Sequence, residues 1–313
     1  MRLFPNRFRT WFVFAIAFWL ASCLSCRLLS PPWVVKQARD HVDLKLMSFN
    51  IRYGTADDGE NSWNHRKELV FKIVKKYRPD ILGLQEALRF QLDEMHHAMP
   101  EYSEAGVGRD DGVEAGEYSA VLYRGERFQL LECGTFWFSS TPEVPGSRDW
   151  GNAITRICTW VRLEEKKTKT CFYVYNLHLD HQSQPSRERS AALLTRLISE
   201  RKHPDPFIVT GDFNAGETNP VILFLKGQSA LELETGEILA NPVPVKDTFR
   251  SLHAKSEKTG TFHEFKGSAT ADKIDYIFVQ EQTKVTEATI DRRSWNNRFP
   301  SDHFPVTASI RIP

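Results

Sequence analysis

The chain has 313 residues, of which 41% are hydrophobic and 12% aromatic, with a formal charge of +1. That is ample for a packed core and excludes a disordered chain, and large α/β sandwiches reach this length as one domain. Without Arg2, Arg7 and Arg9, all ahead of an apolar run, 38 basic groups face 40 acidic ones, a net of −2. Such a balance lacks the attraction that binding duplex nucleic acid requires, and favours small phosphate esters or short single-stranded nucleic acid.

Residues 1–23 read as an export signal, with a basic start and the apolar run from Trp11 to Leu20. The run is about half of what spans a bilayer, which favours a signal over a membrane helix. Leu20-Ala21-Ser22-Cys23 resembles a bacterial lipobox. Cys23 is then expected to carry a lipid that tethers an exported, cell-envelope protein to a membrane face, periplasmic or at the cell surface. An ordinary cleaved, secreted form is the alternative, and an uncleaved anchor comes last. Cys23 and Cys26 have metal-type spacing, but no second pair exists. Residues 24–42, with Pro31-Pro32, read as a linker, and residues 43–313 as the catalytic domain.

In chain order, residues 43–50 alternate as a mostly buried strand, 53–63 form a Gly/Asp/Asn-rich loop, and 64–77 form an amphipathic helix ended by Pro79. A short strand at 81–84 precedes a helix carrying Leu88, Leu92, Met95 and Met99. Strands are expected at 119–123, 128–138, 155–163 and 171–179, then a helix at 187–201 and strands at 207–210, 273–279 and 306–310. This order predicts a four-layer α/β sandwich, two packed, mostly antiparallel β-sheets flanked by helices. A hairpin turning near residues 164–170 sets Cys158 opposite about Tyr175, so Cys133, Cys158 and Cys171 are expected as buried free thiols.

Polar residues cluster where apolar runs end. Glu86 follows one directly, where a buried carboxylate needs a partner, and a hard cation such as Mg²⁺ would supply it; a helix-start acid is the structural alternative. Asn50 ends the first strand and could orient Glu86 or a phosphate, or simply turn the chain. Asp212 and Asn214 lie two apart, hence on one face of an extended strand, suited to a water and a phosphoryl oxygen; an Asx turn is the alternative. Asn176-Leu177-His178 and Ser301-Asp302-His303 bring two imidazoles, and Asp275 could fix the His303 tautomer. The segment 106–112 reads as a solvated turn, with substrate contact as the alternative, and His181 and His263 could line the pocket. Neither a G-x-S-x-G elbow nor H-E-x-x-H occurs, which argues against serine hydrolases and common zinc peptidases.

In this order, Ser48-Phe49-Asn50, Leu84-Gln85-Glu86, Asn176-Leu177-His178, Gly211-Asp212-Phe213-Asn214, Ile274-Asp275 and Ser301-Asp302-His303 resemble the motif set of the endonuclease/exonuclease/phosphatase superfamily, over about residues 44–311. Trp63-Asn64-His65-Arg66 and Leu84-Gln85-Glu86 look most like its nocturnin-like deadenylase branch and that branch's secreted bacterial relatives. The resemblance implies that Glu86 binds Mg²⁺, for which Mn²⁺ could substitute, with Asn50 beside it and Asp302 as a ligand or a support to one. It further implies that Asp212 and Asn214 handle the attacking water, that His178 and His303 stabilise phosphoryl charge, and that Asp275 supports His303. Arg156 matches a position where relatives hold phosphate. The expected activity is hydrolysis of a phosphate ester by in-line water attack, exonuclease-like or as a nucleotide phosphodiesterase. A phosphatase or phospholipase acting on sugar or lipid phosphates is the alternative, and an inactive binding protein is the rival from another class. The expected partners are that phosphate ester and a membrane reached through the lipid, with no protein partner and a monomeric state.

Overall fold

The computed structural model describes residues 41–255 and 257–313; the expected signal, Cys23 and residues 24–40 of the linker lie outside the described residues. Among the described residues no helix is long and apolar enough to cross a membrane. The chain runs β1 (Val42–Asn50), α1 (Trp63–Tyr77), β2 (Ile81–Gln85), α2 (Arg89–Ala98), β3 (Tyr102–Ala105), β4 (Val121–Arg124), β5 (Phe128–Trp137) and β6 (Ile157–Glu165). It continues through β7 (Cys171–His178), α3 (Gln184–Ser199), β8 (Phe207–Asp212), α4 (Pro220–Leu225), β9 (Leu231–Glu232) and β10 (Ile238–Leu239). The last strands are β11 (Val245–Asp247), β12 (Asp275–Gln280), β13 (Lys284–Ile290) and β14 (Val306–Ile312).

Two six-stranded sheets form, ordered β13-β14-β1-β2-β4-β3 and β11-β12-β8-β7-β6-β5. Each is antiparallel except for one central parallel pair, β1 with β2 and β7 with β8. β1 shows how the four expected layers arise. Leu44 and Leu46 pack between the sheets with Val174, Ile208 and Ile277. Met47 and Phe49 point the other way, to Val70, Ile73 and Leu92 of the first helix layer. On the far side, Tyr175, Val209 and Phe278 meet Leu194 and Ile198 of α3. Strands buried on both faces carry apolar residues at both parities.

The parity that faces the inter-sheet space changes character toward one end. Leu44 and Leu46 give way to Ser48 and Asn50, Ile81 to Gly83 and Gln85, Val174 to Asn176 and His178, and Ile208 to Thr210 and Asp212. β12 runs antiparallel to β8, so its first residue, Asp275, pairs with Asp212 at the same end. The space between the sheets is therefore apolar at one end and polar at the other.

Asn176 ties the sheets together where that change occurs. Its Nδ2 donates to the carbonyls of Leu84 (2.8 Å) and Ala120 (2.9 Å). Its Oδ1 accepts from Gln85 Nε2 (2.7 Å) and Thr210 Oγ1 (2.9 Å). All four of its bonding positions are filled, as burial of a carboxamide demands. Gly83 makes the approach possible: a Cβ there would lie 2.4 Å from Thr210 Oγ1 and 2.5 Å from Asn176 Oδ1.

Some expectations need correction. β13 was not foreseen, because this edge strand is largely exposed and its sequence lacks a clean apolar alternation. β3, α4 and the short β9 to β11 were also missed, having too few residues to show a period. α3 begins at Gln184, before the expected start, because the Ser183 side chain accepts from Ser186 N and Pro185 sets the first turn. Cys158 pairs with Leu177 and not Tyr175, since Glu165 N bonds Thr170 O and centres the turn one residue later. The three thiols are free, but only Cys158 is buried; Cys133 is exposed on the edge strand β5 and Cys171 is half-buried.

Gly83→Ala is expected to destabilise the protein by about 1–3 kcal/mol, because neither sheet can retreat without breaking the Asn176 bonds. A lowered urea midpoint at constant slope would show it, and an unchanged midpoint would mean that the sheets yield freely.

Candidate active site

The polar strand ends open into a cavity of about 380 Å³. Asp212, the last residue of β8, lies at its base with 1% of its surface exposed. Its Oδ1 accepts the backbone N–H of Asn214 (2.9 Å), and its Oδ2 accepts Asn50 Nδ2 (3.0 Å). The imidazole Nε2 atoms of His178 and His303 lie 3.6 and 3.8 Å from that Oδ2. Asn214 is not on an extended strand as expected: its φ is +47°, and the bond from its N–H to Asp212 makes the segment the Asx turn given as the alternative. That side chain donates to Leu179 O (2.9 Å) and meets His178 Nε2 at 3.1 Å.

The two histidines are opposites. His303 Nδ1 lies 2.9 Å from Asp275 Oδ2. Burial alone would discharge this ring, but Asp275, with Asp212 and Asp302, outweighs it and holds the pKa well above the ordinary value. For His178, burial and then the positive charges of Arg156 and Arg109 push the pKa well down. His178 is thus neutral, and its Nε2 accepts from the Asn214 amide where a donor to phosphate had been expected. Asp212 is pushed up to about 7, by burial and then by Asp275, against relief from His303 and the Asn214 and Asn50 hydrogen bonds.

Glu86 follows β2 in a left-handed conformation, φ +62°, a strained state that a non-glycine residue keeps only when its surroundings impose it. Asn50 Nδ2 (3.0 Å) and Tyr53 N (3.2 Å) hold its carboxylate. Asn50 Oδ1 accepts from Arg52 N, which can only donate, so the amide orientation is determined. Asn50 therefore bridges Glu86 and Asp212 through its nitrogen, beside the candidate cation ligand Glu86. Asp302 is 6% exposed and lines the same cavity. Burial, then the Glu86 charge, raises its pKa.

Two carboxylate groupings could hold a cation. Ligand atoms of Asp212, Asp275 and His303 lie within 4.8 Å of one another. Asp275 is already bonded to His303, however, and a charged imidazole repels a cation. Glu86 and Asp302 both offer carboxylate oxygens, the Glu86 charge helps raise the Asp302 pKa, and such donors suit a hard cation better.

Among the other expected residues, Arg156 and His181 line the cavity, joined by Arg156 Nη2 to His181 Nδ1 at 2.9 Å, with Asp180 3.5 Å from Arg156 Nε. His263 does not line it. Its ring stacks on Phe304 (3.8 Å between centroids), and its neighbour Phe262 faces the cavity and the His303 ring instead. Adjacent residues in extended chain face opposite ways, so the segment was legible and its parity was not. Arg52, Arg109 and Glu117 also line the cavity and were not singled out. The 106–112 segment is a turn with Asp110 and Asp111 exposed, as expected, and its Arg109 lies on the cavity wall. Arg66 has a supporting part: fully buried, it donates to the carbonyls of Ile51, Arg52, Asn61 and Pro300 and so locks the chain after β1 to the segment before His303.

Residues 47–303 match the model of the Endonuclease/Exonuclease/phosphatase family. The chain belongs to this family. Its members hydrolyse phosphoric esters, and this chain is an enzyme of that kind. An endonuclease/exonuclease/phosphatase from Bacteroides vulgatus is 33% identical, with a TM-score of 0.77, covering 86% of this chain and 98% of that one. A mannosyl-6-phosphatase from Bacteroides thetaiotaomicron is also 33% identical, with a TM-score of 0.75, covering 85% and 99%. Nocturnin from Drosophila melanogaster is 22% identical over 316 residues, 86% of this chain and 47% of nocturnin. The chain thus spans about half the length of this and other curated relatives.

Asp212→Asn is expected to lower turnover about 10²–10⁴-fold, the range for a positioned acid–base group. Raised from 3.8 to about 7, this carboxyl keeps a proton in the folded state that the unfolded state releases, so its contribution to stability declines as pH rises between those values. In chelator, Asp212→Asn should therefore melt above the parent protein at pH 8, an advantage absent below pH 4. A variant that melts lower at pH 8 would contradict the assigned burial energetics.

Proposed function

We propose that this protein is an exported, Mg²⁺-dependent phosphatase that removes the phosphoryl group from a small hydroxyl-rich ester, a sugar phosphate in class, by in-line attack of water. The observation that carries the reading is the 380 Å³ cavity, which has room for one small ligand above Asp212 and His303. The 33% identity to a mannosyl-6-phosphatase along 99% of its length supports the same substrate class.

In this mechanism Arg156 and the charged His303 bind phosphoryl oxygens, and Asp275 keeps the His303 imidazolium oriented. Asp212, titrating near neutrality, takes the proton of the attacking water. Asn50 and Asn214 hold Asp212 in place, and the neutral His178 fixes the Asn214 amide. A Mg²⁺ held by Glu86 and Asp302 would supply Lewis-acid stabilisation of phosphoryl charge. A nucleotide phosphodiesterase is the second reading, because Phe262 on the cavity wall offers a ring on which a base could stack.

Hydrolysis would be measured with Mg²⁺ and with chelator, as phosphate released from hexose 6-phosphates and nucleoside 5′-monophosphates, AMP released from oligoadenylate, and headgroup released from phospholipids. Release from the hexose phosphates, abolished by chelator and restored by Mg²⁺ or Mn²⁺, is expected. Cleavage confined to oligoadenylate would transfer the assignment to the second reading.

Export and lipid attachment are part of the same proposal, supported by the leader and by Cys23 in its Leu-Ala-Ser-Cys setting. The full chain expressed in a bacterium fed labelled palmitate should carry label in the membrane fraction, and Cys23→Ser should lose it. Equal labelling of both proteins would remove the lipid anchor from the proposal.

A further inference from the structure

Arg109 and Glu117 form a bidentate ion pair on the cavity wall, Nη1 to Oε2 at 2.6 Å and Nη2 to Oε1 at 2.8 Å. Their side chains are 12% and 15% exposed. The loop that carries them does not need this pair to hold its shape. Arg109 N donates to Glu117 O (3.1 Å), Gly108 N to Val113 O (3.1 Å) and Asp110 N to Ala115 O (3.0 Å). Asp111 Oδ1 accepts the N–H groups of Val113 and Ala115, and Trp137 Nε1 anchors the loop through Arg109 O at 2.6 Å. Gly108 has no room for a side chain, since a Cβ would lie 2.3 Å from Ala115 O. A buried ion pair adds little net stability once desolvation is counted, so stability does not account for this one.

Its chemistry is also wrong for a phosphate cradle. Phosphate oxygens call for donors, and a carboxylate beside them repels the ester. Glu117 lies close enough to Glu86 and Arg156 to feel both charges. A hydroxyl group, by contrast, both donates and accepts. Each Glu117 oxygen keeps a lone pair beyond its bond to Arg109. The pair thus presents two adjacent acceptors on a rigid frame, a match for adjacent hydroxyls.

We propose that the Arg109–Glu117 pair determines specificity by bonding hydroxyls of the leaving group, and that Glu117 excludes esters bearing a second anionic group. This rests on the phosphatase reading of the same cavity. A site built to bond a hydroxyl discriminates strongly against an analogue lacking it, because its own polar groups are left unpaired. Selection against a second charge works by repulsion and needs no added contact.

The test compares kcat/KM for a hexose 6-phosphate, phenyl phosphate and a hexose bisphosphate, using the full chain with Mg²⁺. In Glu117→Gln, the ratio of hexose 6-phosphate to phenyl phosphate should fall at least tenfold, and the ratio of bisphosphate to monophosphate should rise. The double variant Arg109→Gln/Glu117→Gln removes both charges together and gives the same readout should the single variant fold poorly, as thermal melting would reveal. Ratios within twofold of the parent protein, even with every rate lowered, would overturn the inference and leave the phosphatase reading standing. A parent protein that hydrolyses neither monoester would overturn that reading, and the inference with it.

Discussion

The carboxamide of Asn176 is the interaction on which the rest of the molecule depends. It reaches from β7 of one sheet to β2 and the start of β4 in the other, with all four bonding positions filled. Below it the facing sheets meet mainly through apolar contact, which is non-directional and would tolerate sliding, until Arg127 links Asp43 O and Asp80 to Glu165 at the far end. Hydrogen bonds to two fixed carbonyls do not tolerate sliding. The bond from Asn50 to Asp212, 3.0 Å long, lies one inward position further toward the rim and crosses between the sheets again. The relative placement of Glu86 on one sheet and Asp212 on the other is thereby set to within the tolerance of a hydrogen bond, which catalysis on a single phosphoryl group requires.

The same closeness creates the electrostatics. Asp212 and Asp275 are cross-strand partners, both 1% exposed, and two carboxylates so placed cannot both ionise without help. The charged His303 supplies that help, because its Nδ1 faces Asp275 and its Nε2 faces Asp212. His178 Nε2 lies 3.6 Å from the same carboxylate, but burial, and then the charges of Arg156 and Arg109, push its pKa well down. Two imidazoles of identical intrinsic basicity are thus driven apart by their neighbours, which is how one site obtains an acid and an acceptor at one pH. The buried carboxylate that results is a standing cost to folding.

Much of this was legible from residue order. Apolar runs ending in polar pairs two apart located the strand ends, and the Asp275–His303 pair followed from a carboxylate and an imidazole in adjacent terminal segments. What failed did so for physical reasons. A left-handed residue cannot be read from a pattern of periods two and 3.6, so the turn at Glu86 stayed hidden and the Asx turn at Asn214 stood only as the alternative. A one-residue parity error exchanged His263 for Phe262, and a one-residue turn shift moved the partner of Cys158. The direction of the Asn50 amide depends on a single backbone N–H, that of Arg52. Arg109 and Glu117 sit in a loop held by Trp137, a contact between distant segments that has no local signature.

The cavity's charge explains why so acidic a site can serve an anionic substrate. Glu86, Glu117, Asp212 and Asp302 face Arg52, Arg109, Arg156 and the charged His303, a near balance among the residues lining it. Asp58 already takes both Nε and Nη2 of Arg52, and Glu117 takes the fork of Arg109. Arg156 and His303 are left to attract phosphate, against carboxylates within a few ångströms. In that state a phosphate dianion gains little by leaving water. A divalent cation between Glu86 and Asp302 would shift the whole cavity by two positive charges, so affinity for the ester and for the cation must rise together. On this argument cation and substrate bind with positive coupling, and the neutral net charge of the chain is no obstacle, because the attraction is created locally.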